Sequence, residues 1–417
     1  MRKGKKELLS TDPYKGVRDF FPEDQAFLNY FLTTAREVVQ RFGYVEYHAS
    51  VLEPSELYKS KGAENEELIN EQTYTFLDRG GREVTLRPEM TPTVARMVAA
   101  RHRDMGYPLR WFSIPNLFRY ERSQRGRLRE HWQLNVDIFG TDSLAADAEI
   151  IAVAHALLTA FGAGSSDFEI RLGSRNFLDE LVKKLGLGEE EARELRGLMD
   201  RRAKMPHDEF VSGMTLLGVG MEMLTPEKPP HDVATVLELL RGLGIENAVF
   251  DPGIVRGFDY YTGVVFEVFD TNPENNRAML GGGRYDNLAE LFGVEHISGA
   301  GFGMGDVTLR DFLAVRGLIP DYLPPTKVWI ALASPELVAQ AMALAEELRR
   351  ANVNVGVDFG DRKLGKQIDA AVKHKISYLI VVGEDELASG SFKVKDLATG
   401  EEKALSREEL SSFFTNL

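Results

Sequence analysis

The chain has 417 residues, more than one ordinary core accommodates, so two or three domains are expected. It contains no cysteine, which excludes disulfides, thiolate metal sites and cysteine nucleophiles and fits a reducing cytosol. The formal net charge of -14 makes the surface as a whole a poor match for nucleic-acid phosphates, so any such contact needs a local basic patch.

No apolar run approaches the ~18 residues of a membrane span. No apolar stretch follows Arg2, Lys3, Lys5 and Lys6, so a secretory signal is not expected either. From Asp24 to Phe42 the residues Phe27, Tyr30, Phe31, Ala35, Val38, Val39 and Phe42 recur at helical spacing, and Gly43 stops the helix. Short strands are predicted at Tyr44–Tyr47, Thr73–Leu77 and Glu83–Leu86, the last two joined by the turn Asp78-Arg79-Gly80-Gly81. A helix at Thr91–Ala100 precedes strands at Leu109–Ile114, Asn116–Tyr120 and Gln133–Phe139, then a buried helix at Ala145–Phe161 and a strand at Phe168–Leu172. Charged helical stretches from Asn176 to about Leu243 predict an inserted helical module; strands resume at Ala248–Phe250 and Val264–Phe269.

Pro320, Pro324 and Pro325 mark a linker. After it, strands (Val328–Leu332, Val353–Val357, Tyr378–Val382) alternate with helices (Pro335–Arg350, Leu364–His374). This grammar implies a small α/β domain with parallel pairing. A mostly antiparallel α+β domain therefore precedes an α/β domain.

Four stretches suggest chemistry. Leu86-Arg87-Pro88-Glu89-Met90-Thr91 ends a strand and opens a helix; its carboxylate and hydroxyl suit an ammonium group, although Glu near a helix start commonly serves the helix dipole. Arg119, Arg122, Arg125, Arg127 and Arg129 lie in a glycine-tipped loop between two strands, flanked by Tyr120 and by His131-Trp132-Gln133. Arginine forks there suit phosphate oxygens, and the rings suit a nucleobase; a solvated face or core packing is the plainer alternative. Arg256, Asp259, Tyr260 and Tyr261 lie near Gly257 and Gly263, which core packing does not explain. Gly281-Gly282-Gly283-Arg284-Tyr285-Asp286 and Gly301-Phe302-Gly303-Met304-Gly305 permit close approach of backbone to ligand, yet match neither phosphate-loop nor dinucleotide fingerprints.

From about Lys15 to the C-terminus these stretches resemble the class II aminoacyl-tRNA synthetases and, within them, the histidine-specific enzymes. Gly16-Val17-Arg18-Asp19-Phe20 with the helix to Gly43 resembles the dimer-forming first motif, and Phe118 through Gln133 the second. Val255 to Glu267 resembles the arginine-containing signature peculiar to the histidine enzymes, and Gly281 to Asp286 is also typical. Gly356-Val357-Asp358 and Lys363-Leu364-Gly365-Lys366-Gln367 are similar to the anticodon-binding domain of several class II enzymes.

The resemblance implies a catalytic domain at 1–317 carrying a helical insertion at about 176–243, a linker at 318–326 and an anticodon-binding domain at 327–417. It implies a cytoplasmic homodimer that joins L-histidine to tRNA(His) using ATP and Mg2+ through a histidyl-adenylate, with the insertion reaching the acceptor arm. Glu89 and Thr91 would hold the α-ammonium group, and Arg119 the α-phosphate and carboxylate. Gln133, Asp137, Tyr260 and Tyr261 would line the histidine pocket, Arg256 would neutralise the reacting α-phosphate, and Glu121 and His131 would meet adenine.

Three positions depart from the family pattern. Asp137 stands where Glu is more usual and His131 where Phe is usual; Thr308 occupies the place of a third-motif arginine that contacts the γ-phosphate, with Arg310 two residues further on. The last departure favours an alternative, a histidine-sensing regulatory subunit of ATP phosphoribosyltransferase. Arg256, the arginine loop and the C-terminal domain favour the ligase.

Overall fold

The computed structural model describes residues 9–59, 72–121, 126–202, 205–224, 226, 228–254, 260–275, 277–360 and 362–416. The chain divides into two compact units, Met1–Pro320 and Asp321–Leu417.

In the first unit α1 (Pro22–Arg41) leads to β1 (Val45–Glu46), β2 (Leu52–Pro54), the single turn α2 (Glu56–Lys59) and the hairpin β3 (Tyr74–Leu77) and β4 (Glu83–Leu86). Then come α3 (Thr91–Arg101), β5 (Leu109–Ser113), β6 (Asn116–Phe118), β7 (Glu130–Phe139), α4 (Leu144–Ala160) and β8 (Phe168–Ser174). The helices α5 (Arg175–Leu185), α6 (Glu189–Arg201), α7 (His207–Leu216) and α8 (His231–Gly242) follow. The unit closes with β9 (Ala248–Phe250), β10 (Val264–Asp270), β11 (Ala278–Arg284), β12 (Gly299–Gly305) and α9 (Asp306–Val315).

Nine strands form one sheet in the order β1-β5-β7-β12-β11-β10-β8-β9, with β6 on β7. Pairing is antiparallel except at the ends, where β1 joins β5 and β8 joins β9 in parallel. The fold is the expected α+β class.

The central strand β7 shows how sequence period builds this layer. Leu134, Val136 and Ile138 point into the main core with Phe27, Phe31 and Val38 of α1 and Ile150, Val153 and Leu157 of α4. Gln133, Asn135 and Asp137 alternate with them and line a cavity. Pro22 starts α1 where a missing N–H costs nothing, and Gly43, at φ +82°, ends it.

The expected insertion divides between two cores. Leu178 and Leu181 of α5, Leu195 and Leu198 of α6 and Phe210 and Met214 of α7 form a separate cluster. In α8, Val233, Val236, Leu237 and Leu240 join the main core instead. An apolar helical stripe states that a face is covered, not which core covers it.

In the second unit β13 (Val328–Leu332), α10 (Val338–Arg350), β14 (Val355–Val357), α11 (Leu364–Lys373) and β15 (Tyr378–Val382) alternate as predicted, with β13 pairing in parallel to β14 and β15. Beyond the reach of the sequence reading come α12 (Glu384–Ser389), β16 (Ser391–Asp396), β17 (Glu402–Ser406) and α13 (Arg407–Thr415), whose strands extend the sheet antiparallel. Gln367, 2 % exposed, accepts from the Leu332 amide at 2.8 Å and donates to its carbonyl at 2.9 Å, capping the end of β13. Among the described residues no helix is long and apolar enough to cross a membrane.

Candidate active site

On the face of the large sheet opposite its main core lies a cavity of about 120 Å³. Its walls come from the turn into α3 (Glu89, Thr91), the residue after β6 (Arg119), β7 (Gln133, Asn135, Asp137), the residues before β10 (Tyr260, Tyr261) and Tyr285 after β11. Gly281, Gly301, Phe302 and Gly303 complete the lining. Seven residues expected at the site thus converge: Glu89, Thr91, Arg119, Gln133, Asp137, Tyr260 and Tyr261.

Two glycines on β12 make room for this lining. A Cβ on Gly301 would sit 2.3 Å from Asp137 Oδ1 and 2.6 Å from the Val136 carbonyl, and one on Gly303 would sit 3.0 Å from the Gln133 amide. The absent side chains are what let two polar groups of β7 project across the neighbouring strand.

Asp137 is 4 % exposed. The Tyr285 hydroxyl donates to its Oδ1, while Oδ2 has no hydrogen-bond partner among the described residues. Burial pushes its pKa up to about 7, against the opposing pull of the Tyr285 hydrogen bond. Burial and then the Asp137 charge push the Tyr285 hydroxyl well above its ordinary value, so it stays a donor. Tyr260 packs beside Tyr261, ring centroids 4.7 Å apart, and edge-on to Tyr285 at 5.9 Å. The segment bearing both tyrosines is pinned by Thr262, whose hydroxyl donates to Asp286 at 2.6 Å. Arg284, between these elements, forks onto Asp147 and donates to the Thr141 and Ser143 carbonyls at 3.0 and 3.2 Å.

At the other end, Arg119 donates from Nε to the Pro88 carbonyl at 2.9 Å, which locks its guanidinium beside Glu89 and Thr91. Arg87, 1 % exposed, holds this corner together by donating to the carbonyls of Ala49 at 2.8 Å and Asn116 at 3.0 Å.

Other expected residues lie elsewhere. Glu121 and His131 are not part of the cavity lining. Glu121 pairs with Arg127 at 3.3 Å. Burial, then the charges of Arg119 and Arg18, lower the His131 pKa to about 3, so its ring is neutral. Arg129 is clamped over the Tyr120 ring at 3.9 Å and bonded to the Tyr14 hydroxyl at 3.2 Å, a packing role rather than a phosphate-facing one. Arg256 lies outside the described residues, as do Arg122 and Arg125. Thr308 sits in the first turn of α9 with its hydroxyl 2.9 Å from the Met279 carbonyl, and Arg310 turns away to Asp24 at 2.8 Å.

The sequence reading missed Asn135 and Tyr285 as lining residues. The strand period from Gln133 to Asp137 pointed to Asn135, whereas Tyr285 was hidden in a stretch read only for its glycines.

The chain matches the histidyl-tRNA synthetase family model over residues 16–216 and 221–307, and the anticodon binding domain model over 327–417. It is 41% identical to a histidine–tRNA ligase of Leptospira biflexa, covering 95% of each chain. It is 35% identical to that of Thermoplasma volcanium, covering 97% of this chain and 98% of the relative. Among solved structures, a histidyl-tRNA synthetase from Nostoc sp. PCC 7120 shares the fold with a TM-score of 0.81 at 23% identity, covering 98% of this chain and all of the other. A structure described as an ATP phosphoribosyltransferase regulatory subunit/histidyl-tRNA synthetase from Bacillus halodurans shares it with a TM-score of 0.72 at 23% identity, covering 90% of this chain and 99% of the other.

Proposed function

Because the chain belongs to the histidyl-tRNA synthetase family, we propose that it activates L-histidine with ATP and transfers it to tRNA(His), using the cavity on the large sheet for the first step. The observation that carries this reading is the cavity's polarity. One end offers a buried carboxylate flanked by tyrosines, with an oxygen that has no hydrogen-bond partner among the described residues, suited to an imidazole N–H; the other offers a carboxylate, a hydroxyl and an arginine, suited to an amino acid's ammonium and carboxylate groups.

In this reading Glu89 and Thr91 hold the α-ammonium group. Gln133, Asp137, Tyr260 and Tyr261 surround the ring, joined by Asn135 and Tyr285. Arg119 holds the substrate carboxylate against the α-phosphate of ATP, and Arg256 neutralises that phosphate as the carboxylate oxygen attacks phosphorus and pyrophosphate leaves. Glu121 and the neutral ring of His131 serve adenine. Among the described residues no three His, Asp or Glu side chains converge as a metal-ligand set. Magnesium is proposed to enter with ATP, held by its phosphates and one or two carboxylates.

Histidine-dependent exchange of pyrophosphate into ATP tests this function, since a pure histidine sensor gives none. The regulatory reading is weaker: its structural likeness shows the fold alone, whereas the curated ligases match along nearly the whole chain. Residues 327–417 match an anticodon-binding domain, for which a sensor has no evident use.

We further propose a homodimer formed through the region of α1, in the cytoplasm where charged tRNA is consumed. Phe21, 68 % exposed at the start of α1, is an apolar side chain that such an interface would cover. Light scattering should give about twice the 46.7 kDa chain mass under active conditions; a value near one chain mass contradicts the dimer.

A further inference from the structure

A second cavity, of about 110 Å³, lies further along β11. The first is lined by Gly281 of β11 and Gly303 of β12; the second takes Ala278 and Met279 of β11, Thr308 of α9 just after β12, and Gly126 of the arginine loop. Gly281 and Ala278 are three residues apart, ~10 Å at strand rise, within the length of a nucleoside triphosphate. Arg277 lines this second cavity. A Cβ on Gly126 would lie 3.6 Å from Thr308 Cγ2 and 3.9 Å from Arg277 Nη1, which puts the guanidinium beside both.

Resting on the ligase reading, we propose that Arg277 binds the terminal phosphates of ATP, the task left open by threonine at position 308. Three observations carry it. The Thr308 hydroxyl has one proton, already directed at the carbonyls of Met279 and Gly305, 2.9 and 3.2 Å away. Two other nearby arginines are turned to carboxylates outside this cavity: Arg18 to Asp306 at 2.7 Å and Arg310 to Asp24 at 2.8 Å. Arg277 lines the cavity itself, from the residue just before β11, beside Gly126 and Thr308. A planar fork there grips two phosphate oxygens at once.

Glu274 and Asp311 also line the cavity. Two carboxylates repel a bare anion, so the ligand that fits carries its own cation, as magnesium-bound ATP does.

The test uses the full chain and histidine-dependent pyrophosphate exchange. Arg277→Ala should raise the KM for magnesium-ATP about tenfold or more, the scale of a lost hydrogen bond to a charged group. The histidine KM should stay within about twofold, since the two sites are separate. Arg277→Lys keeps the charge without the fork, and its ATP KM should fall between; it carries the test if the alanine variant does not fold. An ATP KM within about twofold of the unaltered enzyme overturns the assignment, as does a parallel rise in both KM values, which marks a structural role. Absence of exchange in the unaltered protein would instead sink the ligase reading.

Discussion

Replacing Arg119 by alanine should slow histidyl-adenylate formation by roughly 10²–10³-fold, the scale observed when one preorganised donor to a developing charge is removed. The guanidinium is fixed before substrate arrives, because Nε donates to the Pro88 carbonyl and the residue follows a strand paired to β7. Its remaining donors form a planar fork at the Glu89 end of the cavity. Interactions that strengthen as the carboxylate oxygen approaches phosphorus act on the rate more than on ground-state affinity, so the KM values should change far less. Arg119→Lys should recover only part of the loss, having a point charge in place of the fork. Rapid-quench measurement of adenylate formation decides this: a rate within about tenfold of the unaltered enzyme removes Arg119 from the reacting phosphate.

Replacing Asp137 by alanine should weaken histidine binding roughly ten- to a hundredfold, from about 1–3 kcal/mol for leaving a buried donor unpaired, with ATP affinity little changed. Its ionisation adds a pH signature. With a pKa of about 7, Asp137 is mostly protonated at pH 6 and mostly ionised at pH 8. The ionised form accepts the imidazole N–H in the stronger, charge-assisted bond. Histidine affinity should therefore rise with pH through neutrality. The free ligand's own titration is common to both proteins, so the comparison with Asp137→Asn isolates the contribution of the carboxyl. In calorimetric titrations at several pH values, parallel curves for the two would show that Asp137 does not change its ionisation on binding in this range, and unchanged histidine affinity in Asp137→Ala would place the imidazole elsewhere.

How much of this was legible in the sequence follows from where each signal resides. Strand period is written locally, so Gln133 and Asp137 could be placed on one face of β7, with Asn135 between them by the same rule. Tyr285 is different: its aim into the cavity depends on the β11–β12 pairing and on the missing side chain of Gly301, both long-range facts. In the arginine run, spacing alone does not assign each side chain: Arg119 reaches the cavity, Arg129 is packed between Tyr120 of its own loop and Tyr14 of the N-terminal segment, and Arg122 and Arg125 lie outside the described residues. Likewise nothing in the apolar stripe of α8 distinguishes the main core from the small cluster of α5–α7. The parallel pairing of β13 with β14 and β15 was readable because strand–helix alternation leaves few other topologies.

In the ligase reading this cavity makes an activated histidine rather than merely sensing the amino acid. Exchange of labelled pyrophosphate into ATP, run with each amino acid in turn on the unaltered chain, tests it most directly. Exchange is expected with L-histidine and none above background with the others, and it should slow roughly 10²–10³-fold in Arg119→Ala. Tight histidine binding without exchange, while the protein is folded and supplied with magnesium-ATP, would contradict it.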